Sequence, residues 1–301
     1  MTKHIFISTE NHALPRFAFF AAVLQFFVIF FDAYVRIATL SNPVGFLILT
    51  CQSFLPILVD GCVVFLIGLA LRLRHQFTYK IVFACILLFL FSLSNILLNY
   101  FSKDVASQPI IALFHLLSNL AILSLFWWLS AFTSPRSLFI SRGSHHPRYR
   151  TLTWIGLVLI FIQIMLGSWV TIHHAKFVCP DFPFCNGQIL PPLDFRTFIL
   201  PFDTSNTTAL VTFHMTHRIG VILASFYMLI LCMMLISSRQ LSEMGLLLLI
   251  LLVCHFILGI LNVNAHPSIW LILSYELSAI VLLLAMISLL IVLYRKPDES
   301  W

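Results

Sequence analysis

Eight stretches of this chain are each long and apolar enough to cross a bilayer, at about 16–38, 44–71, 80–99, 109–132, 152–172, 209–236, 243–263 and 269–294. A helical span needs about 20 such residues. Between them they leave little sequence for anything else. Only 9% of residues are charged and the mean hydropathy is +1.02, against roughly 25% charged in a soluble domain. Such a chain cannot clothe a water-facing surface, so the expected fold class is an all-α integral membrane protein with eight transmembrane helices. Pro43 and Pro56 could bound a shorter second helix. The net charge of +6 fits lysine and arginine anchoring loops at one membrane face, and calls for no nucleic acid.

Basic residues set the expected orientation. With eight spans both termini share a side, and that side carries 12 of the 17 lysines and arginines. The termini are therefore expected in the cytoplasm, with the loop between the fifth and sixth spans outside. Residues 1–15 contain Glu10 and no long apolar run, so the first helix is expected to direct insertion. A basic cytoplasmic loop at about 133–151 divides the chain into halves, 1–150 and 151–301. Weak internal repetition suggests two pseudo-symmetric four-helix bundles. Val35-Arg36-Ile37 parallels Val170-Thr171-Ile172, and His115-Leu-Leu-Ser118 parallels Tyr275-Glu-Leu-Ser278. Gln163-x-x-x-Gly167 parallels His255-x-x-x-Gly259.

The polar residues that remain carry the chemistry. Of seven cysteines, five lie in apolar segments and only Cys179 and Cys185 lie in a loop, so only these two invite a disulfide. His217 stands near the outer end of the sixth span, where a histidine is a candidate haem ligand or an interfacial group bonded to water. Arg218 beside it could pair with a propionate. His214, three residues earlier, shares its helix face and is a further candidate or an interfacial polar group. His115 is alone among apolar residues at the start of the fourth span, as a ligand or a structural group. His173, His174 and His266, with His214 and His217, could form a copper or zinc site, though surface histidines are usually solvated and copper is not expected. His255, mid-helix, could bond a neighbouring helix. Asp32 and Arg36 are four apart and are expected to pair. Asp60 and Glu276, buried acids, could relay protons or serve as internal hydrogen-bonding groups.

Gly167-Ser-Trp169-Val170, Cys179-Pro-Asp181-Phe-Pro-Phe-Cys185-Asn186-Gly187 and His217-Arg218 together resemble the haem A synthase family, and the cysteine loop is the specific part. The resemblance implies an eight-helix protein of two similar bundles in the bacterial plasma membrane, with inward-facing histidine pairs binding haem and a disulfide in an outer loop. It implies oxidation of the C8 methyl of haem O to a formyl group for cytochrome c oxidase biogenesis. The cofactor would be haem b, haem O as substrate, or both. Haem O synthase and oxidase assembly proteins are the partners it suggests. Iron ligation would fall to His217 and His115, and Cys179 and Cys185 match the disulfide pair. The chain departs from the family in two places. The family's Glu-x-x-His-Arg element on the second helix has no counterpart in Leu49–Gly61, and the eighth-helix histidine is Tyr275. A non-catalytic haem-binding protein or assembly factor of the same fold is the alternative. A small-molecule transporter is a third reading, which leaves the cysteine loop unexplained.

Overall fold

A computed structural model describes residues 13–38, 45–72, 78–102, 109–134, 147–173, 175–179, 181–198, 207–264 and 268–294. Among the described residues, eight helices are long and apolar enough to cross a membrane: α1 Ala13–Ala38, α2 Phe46–Arg72, α3 Tyr79–Ser102, α4 Pro109–Thr133, α5 Pro147–Ile172, α6 Thr207–Ile236, α7 Ser242–Asn264 and α8 Ile269–Tyr294. Two short 3-10 turns, Ala175–Val178 and Phe195–Phe198, lie between α5 and α6. The protein is an all-α membrane protein.

The helix ends follow from local chemistry. Pro109 and Pro147 open α4 and α5, at the position where a missing N–H costs nothing. The fifth helix accordingly starts five residues before the expected 152. Ser268 caps α8, its hydroxyl and carbonyl both accepting from Leu271 N–H. Pro56 does not shorten α2, which runs through it. The helix interior thereby loses one hydrogen bond and the carbonyl of Gln52 is left without its partner four residues on. Hydroxyls inside apolar helices are satisfied by their own backbone: Thr153, Ser168, Thr171 and Thr216 each donate to the carbonyl four residues earlier.

The chain divides into two compact units, Met1–Ile140 with Arg295–Trp301, and Ser141–Tyr294. In the first, α1 packs on α2 and α4, and α3 on α2 and α4, giving a ring of four. Ala18, Ala21, Leu88, Phe126 and Leu129 are fully buried there. In the second, α5–α8 close the same ring, each helix packing on its two neighbours in order. Leu235, Leu248, Met286 and Leu289 are fully buried. At the α6–α7 turn a Cβ on Gly245 would stand 2.7 Å from the backbone nitrogen of Ile236, so only glycine lets the two helices meet. At the start of α5, Arg150 donates to the carbonyl of Leu293 and stacks over Tyr294, which also accepts from Trp154 Nε1.

Candidate functional site

The centre of the second unit is built from two copies of one small device. On α5, Gly167 leaves room for the imidazole of His217 on α6: a Cβ there would stand 3.0 Å from its Cε1 and 3.3 Å from its Nε2. On α7, Gly259 does the same for Tyr275 on α8, with 3.1 Å to its Cε2. Four residues before each glycine lies a polar side chain that meets the residue three after the ring. Gln163 fills the space over Gly220, and His255 Nδ1 bonds Ser278 Oγ at 2.7 Å. The sequence parallel between Gln163-x-x-x-Gly167 and His255-x-x-x-Gly259 is therefore a parallel of packing, and it makes Tyr275 the counterpart of His217. The two rings converge, with Tyr275 Oη 3.3 Å from His217 Nε2. His217 Nδ1 is buried and unpartnered, as is Gln163 Oε1. His255 also stacks flat on Tyr275 at 4.7 Å between centroids. Glu276, next in sequence, lies within electrostatic reach of Tyr275.

Above this core sits the cysteine loop, closed by the Cys179–Cys185 disulfide. Both cysteines are fully buried, packed with Val211 and Met215 of α6. Cys185 and Gln188 exchange both backbone hydrogen bonds across a two-residue turn, Asn186-Gly187, whose φ angles are 52° and 77°. Asparagine and glycine are the residues that adopt such a turn cheaply. Asp181 braces it by accepting from the N–H groups of Gly187 and Asn186. Those donors, Gly187 first, together with the Arg218 charge, hold the Asp181 carboxyl below the usual carboxylate range.

Arg218 fastens this loop to α6. Its guanidinium donates to the carbonyls of Cys179, Asp181 and Phe184 at 2.8–3.0 Å. Its Nε donates to His214 Nε2 at 2.9 Å. Because arginine only donates, His214 Nε2 is the acceptor, and its Nδ1–H goes to Ala175 O at 2.8 Å. Both nitrogens of His214 are thus engaged, Nε2 by Arg218 and Nδ1 by Ala175, and the terminal nitrogens of Arg218 hold the loop. His173 ends α5, with Nδ1 3.0 Å from Trp169 O and its ring against Trp169. His174 and His266 lie outside the described residues. Among those described, no three or more His, Cys, Asp or Glu are grouped to hold a metal ion.

The first unit has a different interior. Asn119 on α4 is 3% exposed and is a hub. Its Oδ1 accepts from Gln25 Nε2 of α1 at 3.0 Å and Asn95 Nδ2 of α3 at 2.8 Å. Its Nδ2 lies 3.2 Å from both Asp32 Oδ2 and His115 Nδ1. Asp32 also accepts from Gln52 of α2, lies 3.7 Å from His115 and feels the charge of Arg36. Asp60 is paired too: Ser92 of α3 donates to it. None of Gln25, Gln52, Asn95 or Asn119 was singled out from sequence. The available signal was a neutral amide inside an apolar helix, where an unpaired polar group is costly.

A family model described as cytochrome oxidase assembly protein, COX15-CtaA, matches residues 50–287. The chain belongs to the COX15-CtaA family. The protein named heme A synthase in Shewanella oneidensis is 30% identical over 215 residues, which is 67% of this chain and 64% of that protein. Another heme A synthase, from Erythrobacter litoralis, is 31% identical over 80 residues, 27% of this chain and 23% of that one. The match to COX15-CtaA takes in α3–α7, most of α2 and α8, and the cysteine loop. The second unit contains two ligand types for haem iron, an imidazole nitrogen and a phenolic oxygen, in direct contact with each other. His217 also has a buried Nδ1 without a partner.

Proposed function

We propose that this protein acts in haem A biosynthesis as a haem A synthase-type membrane oxidoreductase, oxidising the C8 methyl of haem O to a formyl group for cytochrome c oxidase. The observation that carries this reading is the equivalence of His217 and Tyr275. Each ring is seated against a glycine four residues after a polar side chain, and the two meet at 3.3 Å. The equivalent seats, rather than the contact, support the reading: the two rings occupy corresponding places, and a porphyrin held by His217 would have to part them. His217 would hold haem iron through Nε2, with Tyr275 on the facing side. Haem held there would supply electron transfer. The chain's own part is to orient the imidazole against Gly167, to hold Tyr275 against Gly259 and His255, and to cover the site with the loop that Arg218 fastens. Termini in the cytoplasm and the cysteine loop outside complete the proposal. Reporter fusions after Pro147 and after Asn186 should report opposite faces.

A visible spectrum of the purified protein tests the iron assignment. A His217–Tyr275 site gives a high-spin ferric spectrum. His217→Ala abolishes it, and Tyr275→His converts it to the low-spin spectrum of two imidazoles. A low-spin wild-type spectrum would refute the tyrosine's role, and haem retained in full by His217→Ala would refute the ligand. The direct Tyr275–His217 contact favours one second reading. A bundle already closed by that hydrogen bond suits an assembly factor without catalysis, and absence of any haem after expression with haem supplied would select it.

A further inference from the structure

The four helices of the first unit surround a small cavity, lined among others by Gln25, Asp60, Asn95, His115 and Asn119. The hydrogen bonds around it determine which nitrogen of His115 carries the proton. The chain of assignment starts at a backbone carbonyl, which can only accept. Gln25 Nε2 donates to Asn119 O at 3.1 Å, so the nitrogen end of the Gln25 amide faces Asn119. The Asn119 side-chain atom 3.0 Å from that nitrogen must then be the acceptor, Oδ1. Its Nδ2 is thereby turned toward Asp32 and His115, with one hydrogen for each. His115 Nδ1 is the acceptor of that second hydrogen, and its single ring proton resides on Nε2. Asn95 is oriented by the same logic: its Nδ2 donates to Asn119 Oδ1, so its Oδ1 points away from the hub.

This leaves two buried atoms without a protein partner, a donor at His115 Nε2–H and an acceptor at Asn95 Oδ1. Both residues line the cavity, and so does Asp60, whose carboxyl receives Ser92 through one oxygen. In a bilayer such groups must be satisfied internally. A ligand that accepts from the imidazole and donates to the amide oxygen meets both needs, with the Asp60 carboxyl as its third partner in the cavity lining. Three partners is the ordinary complement of one buried water. Iron, by contrast, requires a lone pair on the ligating nitrogen, and this tautomer has none to offer at Nε2. Pro56, where α2 lacks a backbone hydrogen bond, also lines the cavity.

We propose that this cavity is a water site that exchanges protons with Asp60, and that His115 serves it as a hydrogen-bond donor rather than as an iron ligand. The charged or titratable groups around the network are Asp32 and Arg36 on α1, Asp60 on α2 and His115 on α4, with the neutral Ser92 and Asn95 from α3. The proton moves between the Asp60 carboxyl and the bridging water. No electron transfer is involved, and the site does not depend on the haem assigned to His217.

Solid-state NMR of the full chain in lipid, with nitrogen-15 histidine, reads the tautomer directly. The His115 signal is assigned by its loss in His115→Gln. The expected result is a neutral ring protonated on Nε2, unchanged when haem is supplied. A ring protonated on Nδ1, or an iron-shifted signal, overturns the proposal. Asn119→Leu removes the donor to Nδ1 and should shift that signal toward a tautomer mixture; an unchanged signal overturns the assignment. Infrared difference spectra between acid and alkaline buffers test Asp60. A carboxyl band lost in Asp60→Asn should shift in deuterated water and move in Asn95→Leu. A band that does neither overturns the water link. The haem reading fails separately, through the His217→Ala spectrum.

Discussion

Replacing Arg218 should release the cysteine loop while leaving the eight helices in place. The guanidinium makes three bonds to loop carbonyls and one to His214. A hydrogen bond to a charged group contributes about 1.5–3 kcal/mol when well buried. This loop touches water, so about 1 kcal/mol for each of the three carbonyl bonds is the appropriate scale. Arg218→Gln should therefore lower the local stability of residues 175–188 by about 3 kcal/mol, a change of about a hundredfold in the opening equilibrium. Arg218→Lys keeps the charge, but a single ammonium cannot span three carbonyls, and about a tenfold change is expected. Amide hydrogen exchange followed by mass spectrometry over these residues measures it. The rate at which a soluble reductant opens Cys179–Cys185 gives a second reading, since both sulfurs are covered by the clamped loop. Exchange within about threefold of wild type in Arg218→Gln would refute the clamp.

Two further predictions concern the same loop. The Asp181 carboxyl is held below its ordinary value of about 3.9 by the N–H groups of Gly187 and Asn186 and the charge of Arg218. Its contribution is therefore fully present above that value and is lost as pH falls through the lower folded one. Loop exchange, corrected for its intrinsic pH dependence, should rise in wild type only as pH falls below the ordinary carboxylate value and show no such step in Asp181→Asn. Cys179→Ser with Cys185→Ser removes a six-residue closure whose entropic term is on the order of 2 kcal/mol, and should raise loop exchange without changing helix content by circular dichroism.

The eight spans were legible because apolar length is a one-dimensional property. So was the cysteine pair, since Cys179 and Cys185 alone lie outside apolar runs. The ring-facing position of Tyr275 could be anticipated from the resemblance, and the Gln163 and His255 parallel from the repeat. What escaped was the destination of each polar group. Arg218 was read toward a propionate and instead donates to three carbonyls, because a guanidinium beside a loop finds the nearest oxygens in three dimensions. Asp60 had no visible partner because Ser92 is 32 residues away. The amide hub escaped for the same reason: Gln25 and Asn119 are 94 residues apart, and no spacing rule joins them. Pro56 left open a shorter second helix, yet α2, packed on α1 and α3, runs through it.

The repeat in the second unit also makes a prediction about asymmetry. Gly→Ala in a helix interior normally gains up to about 1 kcal/mol of propensity, whereas overpacking a filled site costs about 1–3 kcal/mol. At Gly167 the added methyl would stand 3.0 Å from His217 Cε1 and 3.3 Å from its Nε2, so the imidazole must give way at the edge that faces Tyr275. At Gly259 the methyl meets Tyr275 Cε2 at 3.1 Å, a ring carbon, and that ring also carries the flat His255 stack, which limits how it can shift. The stability cost should be similar for the two variants, about 0–2 kcal/mol. Their spectra should differ. Gly167→Ala moves the nitrogen assigned to iron and should alter both the position of the haem band and the amount of haem retained. Gly259→Ala moves the facing phenol and should alter the spin state at constant haem content. Thermal melts alongside visible spectra of the two variants separate these effects. Equal spectral changes in both, or haem lost only in Gly259→Ala, would show that His217 and Tyr275 do not divide the roles in this way.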